Sequence, residues 1–461
     1  MSLPEAFAAR KRTLAGIDGK ALLETLQGVP LPTALRVNPL RGAVPLPWRL
    51  EPVPWCASGW YVPEGLRPGR SPLHDAGAYY LQEASAMAVA EAAQVEPGMR
   101  VLDLCAAPGG KAGQLGAALG GSGILVANEI VPERAALLSS QLERLGIVEA
   151  AVTNERPDRL AEHFGAVFDR VLVDAPCSGE GMFRKDPQAA DAWRPESNEA
   201  CARRQRLILD SAAALVKPGG WLIYSTCTFS PVENEENAAW FLDTHRGYAP
   251  KKLNIPGWSR GLEQEAHCAR LWPHLARGEG HFIACFERIS GDMGHWPAAK
   301  PGPRDKRADD FWAAGMEGEA PEHTAGSGEL VWRLPRENPQ WGRLRLVRAG
   351  IPLGKAGRGY FKPHHSLAMA GRARQRLELW GDERLAAYLA GEEIAASGGG
   401  WCQATILGCP LGWGKISQGR MKNHLPAGLR RRGNNKAGKP QQRRNFAPPL
   451  PKISLRIFKP F

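Results

Sequence analysis

No window in the 461 residues reaches the roughly 18 consecutive apolar residues that a membrane-spanning helix needs. The start of the chain, Met1 to Arg12, holds no apolar stretch of signal-peptide length, so a cytoplasmic protein is expected. Its nine cysteines then stay reduced. Cys-x-x-Cys spacing is missing, and the nearest two, Cys402 and Cys409, are too far apart for that motif; no metal site is expected. The turn after the clearest strand lacks the Gly-x-Gly-x-x-Gly spacing, which argues against a dinucleotide. Acidic residues are absent beyond Glu393.

That last absence organises the charge. The formal net charge is +12, and thirteen cations follow Glu393, from Lys415 to Lys459, enough to account for all of it. Such a block suits a polyanion, most simply nucleic acid; a solubilising tail is the plainer alternative. A hydrophobic content of 43% with 23% charged residues is that of a globular chain, and the length calls for two or three domains.

Read in order, residues 1–95 form an α+β prelude. Helical spacing runs from Ala8 to Gln27, a short strand lies around Leu35-Arg36-Val37, and a helix is expected from Tyr79 to about Ala93. Strands and helices then alternate over 96–288. Apolar runs end at Leu104, Glu129, Asn154, Asp174 and Ser225, separated by helical stretches that include Pro132 to Leu145 and Asn198 to Leu215. This alternation specifies an α/β fold with a doubly wound sheet. Lys217-Pro218-Gly219-Gly220 reads as a turn, residues 289–324 as a proline- and glycine-rich linker, and 325–430 as a small β-rich domain. The tail, 431–461, is expected to be disordered until bound.

Two strand ends carry the chemistry. Val171-Leu172-Val173-Asp174 delivers a carboxylate to the strand's carboxyl end, where open α/β sheets bind ligands, and Pro176-Cys177-Ser178-Gly179 puts a thiol on the next turn. Cys177 alone would be the candidate nucleophile, against the plainer role of a small buried hydrophobe. A second thiol, Cys227, follows the strand through Tyr224 and Ser225. Upstream, Cys105-Ala106-Ala107-Pro108-Gly109-Gly110-Lys111 is a strand-to-helix turn with backbone N–H groups to offer, and Glu129 closes the next strand where an acid can accept both hydroxyls of a ribose. A nucleoside-containing cofactor is therefore expected.

These motifs, with Leu35-Arg36-Val37-Asn38, Gln82-Glu83-Ala84-Ser85 and Glu233-Asn234-Glu235, resemble the Nop/Sun family of RNA cytosine-5 methyltransferases, and among them the bacterial RsmF-type ribosomal RNA enzymes. Gly412-Trp413-Gly414-Lys415 with Lys422-Asn423 is similar to the PUA-like domain that follows the catalytic domain there. The resemblance implies a Rossmann-like S-adenosylmethionine-dependent methyltransferase sheet flanked by two RNA-binding parts. It implies that Cys227 attacks carbon 6 of cytosine, that Asp174, transiently protonated, holds the base near nitrogen 3, and that Cys177 assists release. Lys111 would orient Asp174 or the base, or be only a surface lysine at a helix start. The cofactor would lie along Cys105, Ala106, Ala107, Pro108, Gly109, Gly110 and Lys111, with Asp174, and Glu129 would hold its ribose. The acid that the family places near adenine is replaced by Arg156, so Asn154 or Glu155 would substitute for it, or apolar contacts would hold the base. The partner implied is 16S RNA of the small ribosomal subunit, bound by a monomer. The same reaction on transfer RNA, and a non-catalytic RNA-binding assembly factor, are the alternatives.

Overall fold

A computed structural model describes residues 3–28, 32–263 and 265–431. At its centre is a sheet whose strands are β1 (Arg100–Asp103), β2 (Ile124–Asn128), β3 (Ala150–Thr153), β4 (Phe168–Asp174), β5 (Val216–Thr226), β6 (Tyr248–Pro250), β7 (Ser259–Arg260), β8 (Cys268–Leu271), β9 (His281–Arg288) and β10 (Leu346–Ala349). The order is β7-β8-β9-β5-β4-β1-β2-β3-β10, with β6 paired to β9. From β5 to β3 every pairing is parallel. The antiparallel β9 extends one edge and β10 the other.

Side chains on the parallel strands alternate between two buried layers, as the strand period of two requires. Val101, Leu125, Ala127, Leu172 and Ile223 pack on one face, against the helices Ala84–Ala92, Gly110–Ala118 and Pro132–Leu145. Leu102, Val126, Val171, Val173, Leu222 and Tyr224 pack on the other, against Pro157–Phe164, Pro195–Ala213 and Glu235–Thr244. Both faces being covered, these strands carry little polar alternation, and their apolar runs read directly as buried parallel strands.

Several expectations change where tertiary contacts override local pattern. The first helical stretch is two helices, Glu5–Arg12 and Gly19–Gly28. Tyr79–Leu81 is a strand on Ala34–Val37, and the helix begins at Ala84 after Glu83, whose carboxylate caps the Ala86 N–H. Lys217-Pro218-Gly219-Gly220 is an irregularity inside β5: Phe168 pairs with Val216 and Arg170 with Trp221, so these four residues of β5 oppose Asp169 alone on β4. The segment 289–324 is no free linker. Trp296 is buried and stacks on Phe164, and the helix Lys306–Gly315, capped by Asp305, buries Ala308 and Trp312.

The β-rich part is likewise two sheets. One has four strands, in the order Thr324–Ser327, Leu330–Arg333, Ile351–Gly357, Tyr360–Pro363; the other has five, running Arg376–Glu378, Gly400–Ile406, Cys409–Ser417, Arg420–Asn423, Ile394–Ala395. The second shares its core with the N-terminal sheet, where Leu35, Val62 and Tyr79 meet Leu389, Ile406 and Leu411. Between them these sheets leave Leu346–Ala349 to the central sheet as β10, fastened there by buried Arg348, which donates to the carbonyls of Ser139 and Ile147. Of the basic tail, Arg431 is described and pairs with Asp75 at 2.6 Å; residues 432–461 lie outside the described part.

Candidate active site

The strand order reverses beside β1, whose neighbours are β2 and β4, and a crevice at the carboxyl ends of such strands is the binding place of doubly wound sheets. Leu104 donates its N–H to Leu172 and Ala106 donates to Asn128, which ties the turn after β1 to both neighbouring strands. The Ala107–Pro108 peptide is cis, and Arg134 donates to the Ala107 carbonyl at 3.1 Å. Gly109 then takes a φ of 113°, a left-handed conformation open to glycine, and starts the helix Gly110–Ala118. The first N–H groups of that helix have no partner within it and face the crevice mouth as anion donors.

Asp103 ends β1 fully buried, and neither carboxylate oxygen has a hydrogen-bond partner among the described residues. Burial, and after it the charge of Asp174, pushes its carboxyl up to about 8. In the sequence it lies within the apolar run that ends at Leu104 and no role is assigned to it there. Glu129, at the end of β2, is 3% exposed. One of its oxygens accepts the Val131 N–H at 2.9 Å and the other lies 3.4 Å from Arg134. A buried carboxyl without a partner, a helix N-terminus and a second buried carboxylate fit the ammonium, carboxylate and ribose of an amino-acid nucleoside. Arg156 is not brought to this group: it is exposed and pairs with Asp158. Asn154 donates to the carbonyls of Glu129 and Ile130, and buried Glu155 accepts the Arg345 N–H.

Asp174, at the end of β4, meets Lys111 of the turn. Its Oδ2 accepts from Lys111 Nζ at 2.7 Å and its Oδ1 from Ser225 Oγ at 2.8 Å, Ser225 being its register partner on β5. Burial alone would raise this carboxyl; Lys111 and His281 outweigh it and hold it well below the usual carboxylate range. For Lys111 the same contest runs the other way, since burial lowers its ammonium and Asp174, helped by Cys227, raises it beyond the ordinary value.

The two thiols touch: Cys177 Sγ and Cys227 Sγ are 3.3 Å apart. The hydrogen bond to Cys227 comes first among the causes that push the Cys177 thiol up, with burial second, and either sulfur can be the donor across the contact. Their loops are held by a buried polar cluster. Glu233 accepts from Ser178 N and Oγ, from Asn198 and from Gln205, and Gln205 also donates to the Pro176 carbonyl. Glu180 accepts from the Phe229 N–H and pairs with Lys11. Gly181 donates to the Cys227 carbonyl at 2.8 Å, and a Cβ there would sit 2.6 Å from that oxygen. Glu233 stands in the sequence only as part of a motif, and no sequence signal singles out Gly181.

Residues 90–287 match the family described as 16S rRNA methyltransferase RsmB/F. Residues 3–84 match the N-terminal domain of 16S rRNA methyltransferase RsmF, 310–370 the first C-terminal domain of that methyltransferase, and 377–431 its PUA domain. The ribosomal RNA small subunit methyltransferase F of Shewanella amazonensis is 33% identical over 437 residues, covering 87% of this chain and 92% of that protein. Its counterpart in Serratia proteamaculans is 33% identical over 469 residues, covering 94% and 97%. Among solved structures, a methyltransferase homolog from Pyrococcus horikoshii aligns with a TM-score of 0.55 at 28% identity, over 62% of this chain and 95% of that one.

Proposed function

The chain belongs to the 16S rRNA methyltransferase RsmB/F family, and we propose that it transfers a methyl group from S-adenosylmethionine to carbon 5 of a cytosine in small-subunit ribosomal RNA. The observation that carries this reading is the contact of two thiols at 3.3 Å beside a lysine–aspartate pair at 2.7 Å. An RNA-binding scaffold needs no such group, and neither does methylation of an exocyclic nitrogen, which is already nucleophilic.

Carbon 5 of cytosine is a poor nucleophile. Addition of the Cys227 sulfur to carbon 6 makes the ring enamine-like, splitting one hard step into easier ones. The Cys227 thiolate forms the bond, and its electron pair passes through the ring toward nitrogen 3. Lys111 stands beside both Asp174 and Cys227 and favours the thiolate electrostatically. Asp174 rests ionised, so its first contact with the base is as an acceptor from the amino group; Lys111, on its other oxygen, is the source of the proton that the ring needs as negative charge builds on nitrogen 3. Asp103, the N-terminal amides of Gly110–Ala118 and Glu129 would hold the ammonium, carboxylate and ribose of the cofactor. When bound, S-adenosylmethionine supplies an electrophilic methyl on a sulfonium. After transfer, water takes the proton from carbon 5, the electron pair of that bond closes the carbon 5–carbon 6 double bond, the carbon 6–sulfur bond breaks with its pair returning to Cys227, and nitrogen 3 gives its proton back to Lys111. Cys177, within hydrogen-bond distance of that sulfur, stabilises it as it leaves.

Cys227→Ala should abolish methyl transfer and any covalent complex. Cys177→Ala should accumulate a protein–RNA adduct that survives denaturing gels. Methyl transfer at wild-type rate by Cys227→Ala would sink the covalent mechanism. Mapping 5-methylcytosine in 16S RNA from cells with and without the gene tests the substrate; an unchanged map would refute it.

A further inference from the structure

His281 opens β9 at the same end of the sheet as Asp174 and Cys227. It is 5% exposed, and its Nε2 has no hydrogen-bond partner among the described residues. A buried polar nitrogen left unmade costs free energy, and orphans of this kind gather where a partner arrives during function. Its place is constrained from several sides. Phe282 pairs with Thr226, which sets His281 across from the Cys227 position. The preceding Gly280 has a φ of 107°, and a Cβ there would lie 2.3 Å from the Phe229 ring. The carbonyls of Glu279 and Gly280 press on Gly181, 3.1 and 3.2 Å from where its Cβ would be. The imidazole is therefore aimed by the same backbone that supports the thiol loop.

What it is aimed at is Oδ1 of Asp174, 3.6 Å away, too far for a hydrogen bond but close enough to attract an N–H and repel a lone pair. The tautomer with its proton on Nε2 follows from that neighbour. Asp174 is already served by Lys111 and Ser225. In the reaction proposed above, on which this inference rests, Lys111 must turn part of its hydrogen bonding toward the base, leaving a buried carboxylate short of a donor.

We propose that His281 is a positioning residue that closes on Asp174 as Lys111 turns to the base, so that the carboxylate keeps its orientation through addition of the thiol. Among the described residues its Nε2 makes no hydrogen bond to the thiols or to the turn Cys105–Lys111, and it acts through Asp174.

His281→Phe keeps a flat ring and removes the donor, whereas His281→Gln keeps an N–H near the Nε2 position. With the full-length enzyme, 16S RNA and labelled S-adenosylmethionine, His281→Phe is expected to lower kcat at least tenfold, with KM for RNA and Kd for the cofactor within twofold of wild type. His281→Gln is expected to recover at least a third of wild-type kcat. Activity of His281→Phe within twofold of wild type would overturn the proposal. So would equal losses in both variants together with a lowered Tm, because packing would then explain them. Cys227→Ala in the same assay separates the two levels: if it is dead while His281→Phe is fully active, only the role of His281 fails; if Cys227→Ala is active, the underlying reaction fails.

Discussion

Asp103 and Asp174 end neighbouring strands and are driven in opposite directions, the first up to about 8 and the second well below the usual range. Asp103 is fully buried and Asp174 half-buried, and Lys111 makes its hydrogen bond to Asp174 and none to Asp103. An unpaired buried carboxyl costs stability once it must ionise. The unfolded chain releases this proton near pH 4 and the folded one near 8, so across that window folding takes up a proton and stability falls as pH rises. Asp103→Asn removes the term: the ligand-free variant should melt higher than wild type at pH 8.5 and at the same temperature near pH 4, measured by calorimetry. The cofactor's ammonium would supply the missing partner, so the same variant should bind S-adenosylmethionine more weakly by about 1.5–3 kcal/mol, roughly 10- to 100-fold by titration. Higher stability with undiminished affinity would remove Asp103 from the cofactor site.

The element that matters most is the loop between β4 and the helix Pro195–Ala213. It is short of regular structure, yet it is pinned at Pro176, Ser178, Glu180 and Gly181 by partners from β5, its following turn and two helices. This pinning keeps Cys177 against Cys227 although 50 residues separate them. Gly181→Ala tests it, since the new methyl would fall 2.6 Å from the Cys227 carbonyl oxygen. Either the loop or the carbonyl must move, a strain of about 1–3 kcal/mol. Methyl transfer should drop by more than tenfold while cofactor affinity stays unchanged, because the cofactor turn lies on β1. An Ala variant with normal kcat would mean the thiol spacing tolerates displacement.

At the scale of the whole molecule, residues 35–81 and 377–421 share one core, so two segments far apart in sequence pack on each other. Arg431 seals this closure on Asp75 and on the Arg70 carbonyl. Beyond it come Arg432, Lys436, Lys439, Arg443, Arg444, Lys452, Arg456 and Lys459, eight cations with no acid among them. Removing residues 432–461, none of which is among the described residues, should weaken RNA binding and flatten its dependence on salt, since each phosphate contact adds about 0.7–0.9 to the slope. An unchanged slope in a filter-binding titration would make the tail a solubilising segment.

The local sequence determined the parallel strands, because residues buried on both faces form unbroken apolar runs, and it determined where the two thiols, the turn Cys105–Lys111 and Glu129 fall, because each lies within a few residues of a strand end. Short-range pattern carries such features. Pairings between distant residues it could not carry. Only the tertiary structure decided that the Cys177 and Cys227 sulfurs touch, that the Asp174 carboxyl is held well below the usual range, and that Asp103 Oδ1 and Oδ2 and His281 Nε2 are buried without partners among the described residues. It alone turned Arg156 out to Asp158, docked 289–324 through Trp296 and Trp312, and gave Leu346–Ala349 to the central sheet. The physical reason is the same throughout: burial, proton affinity and strand partnership are set by whatever the fold brings alongside, and here those neighbours come from far along the chain.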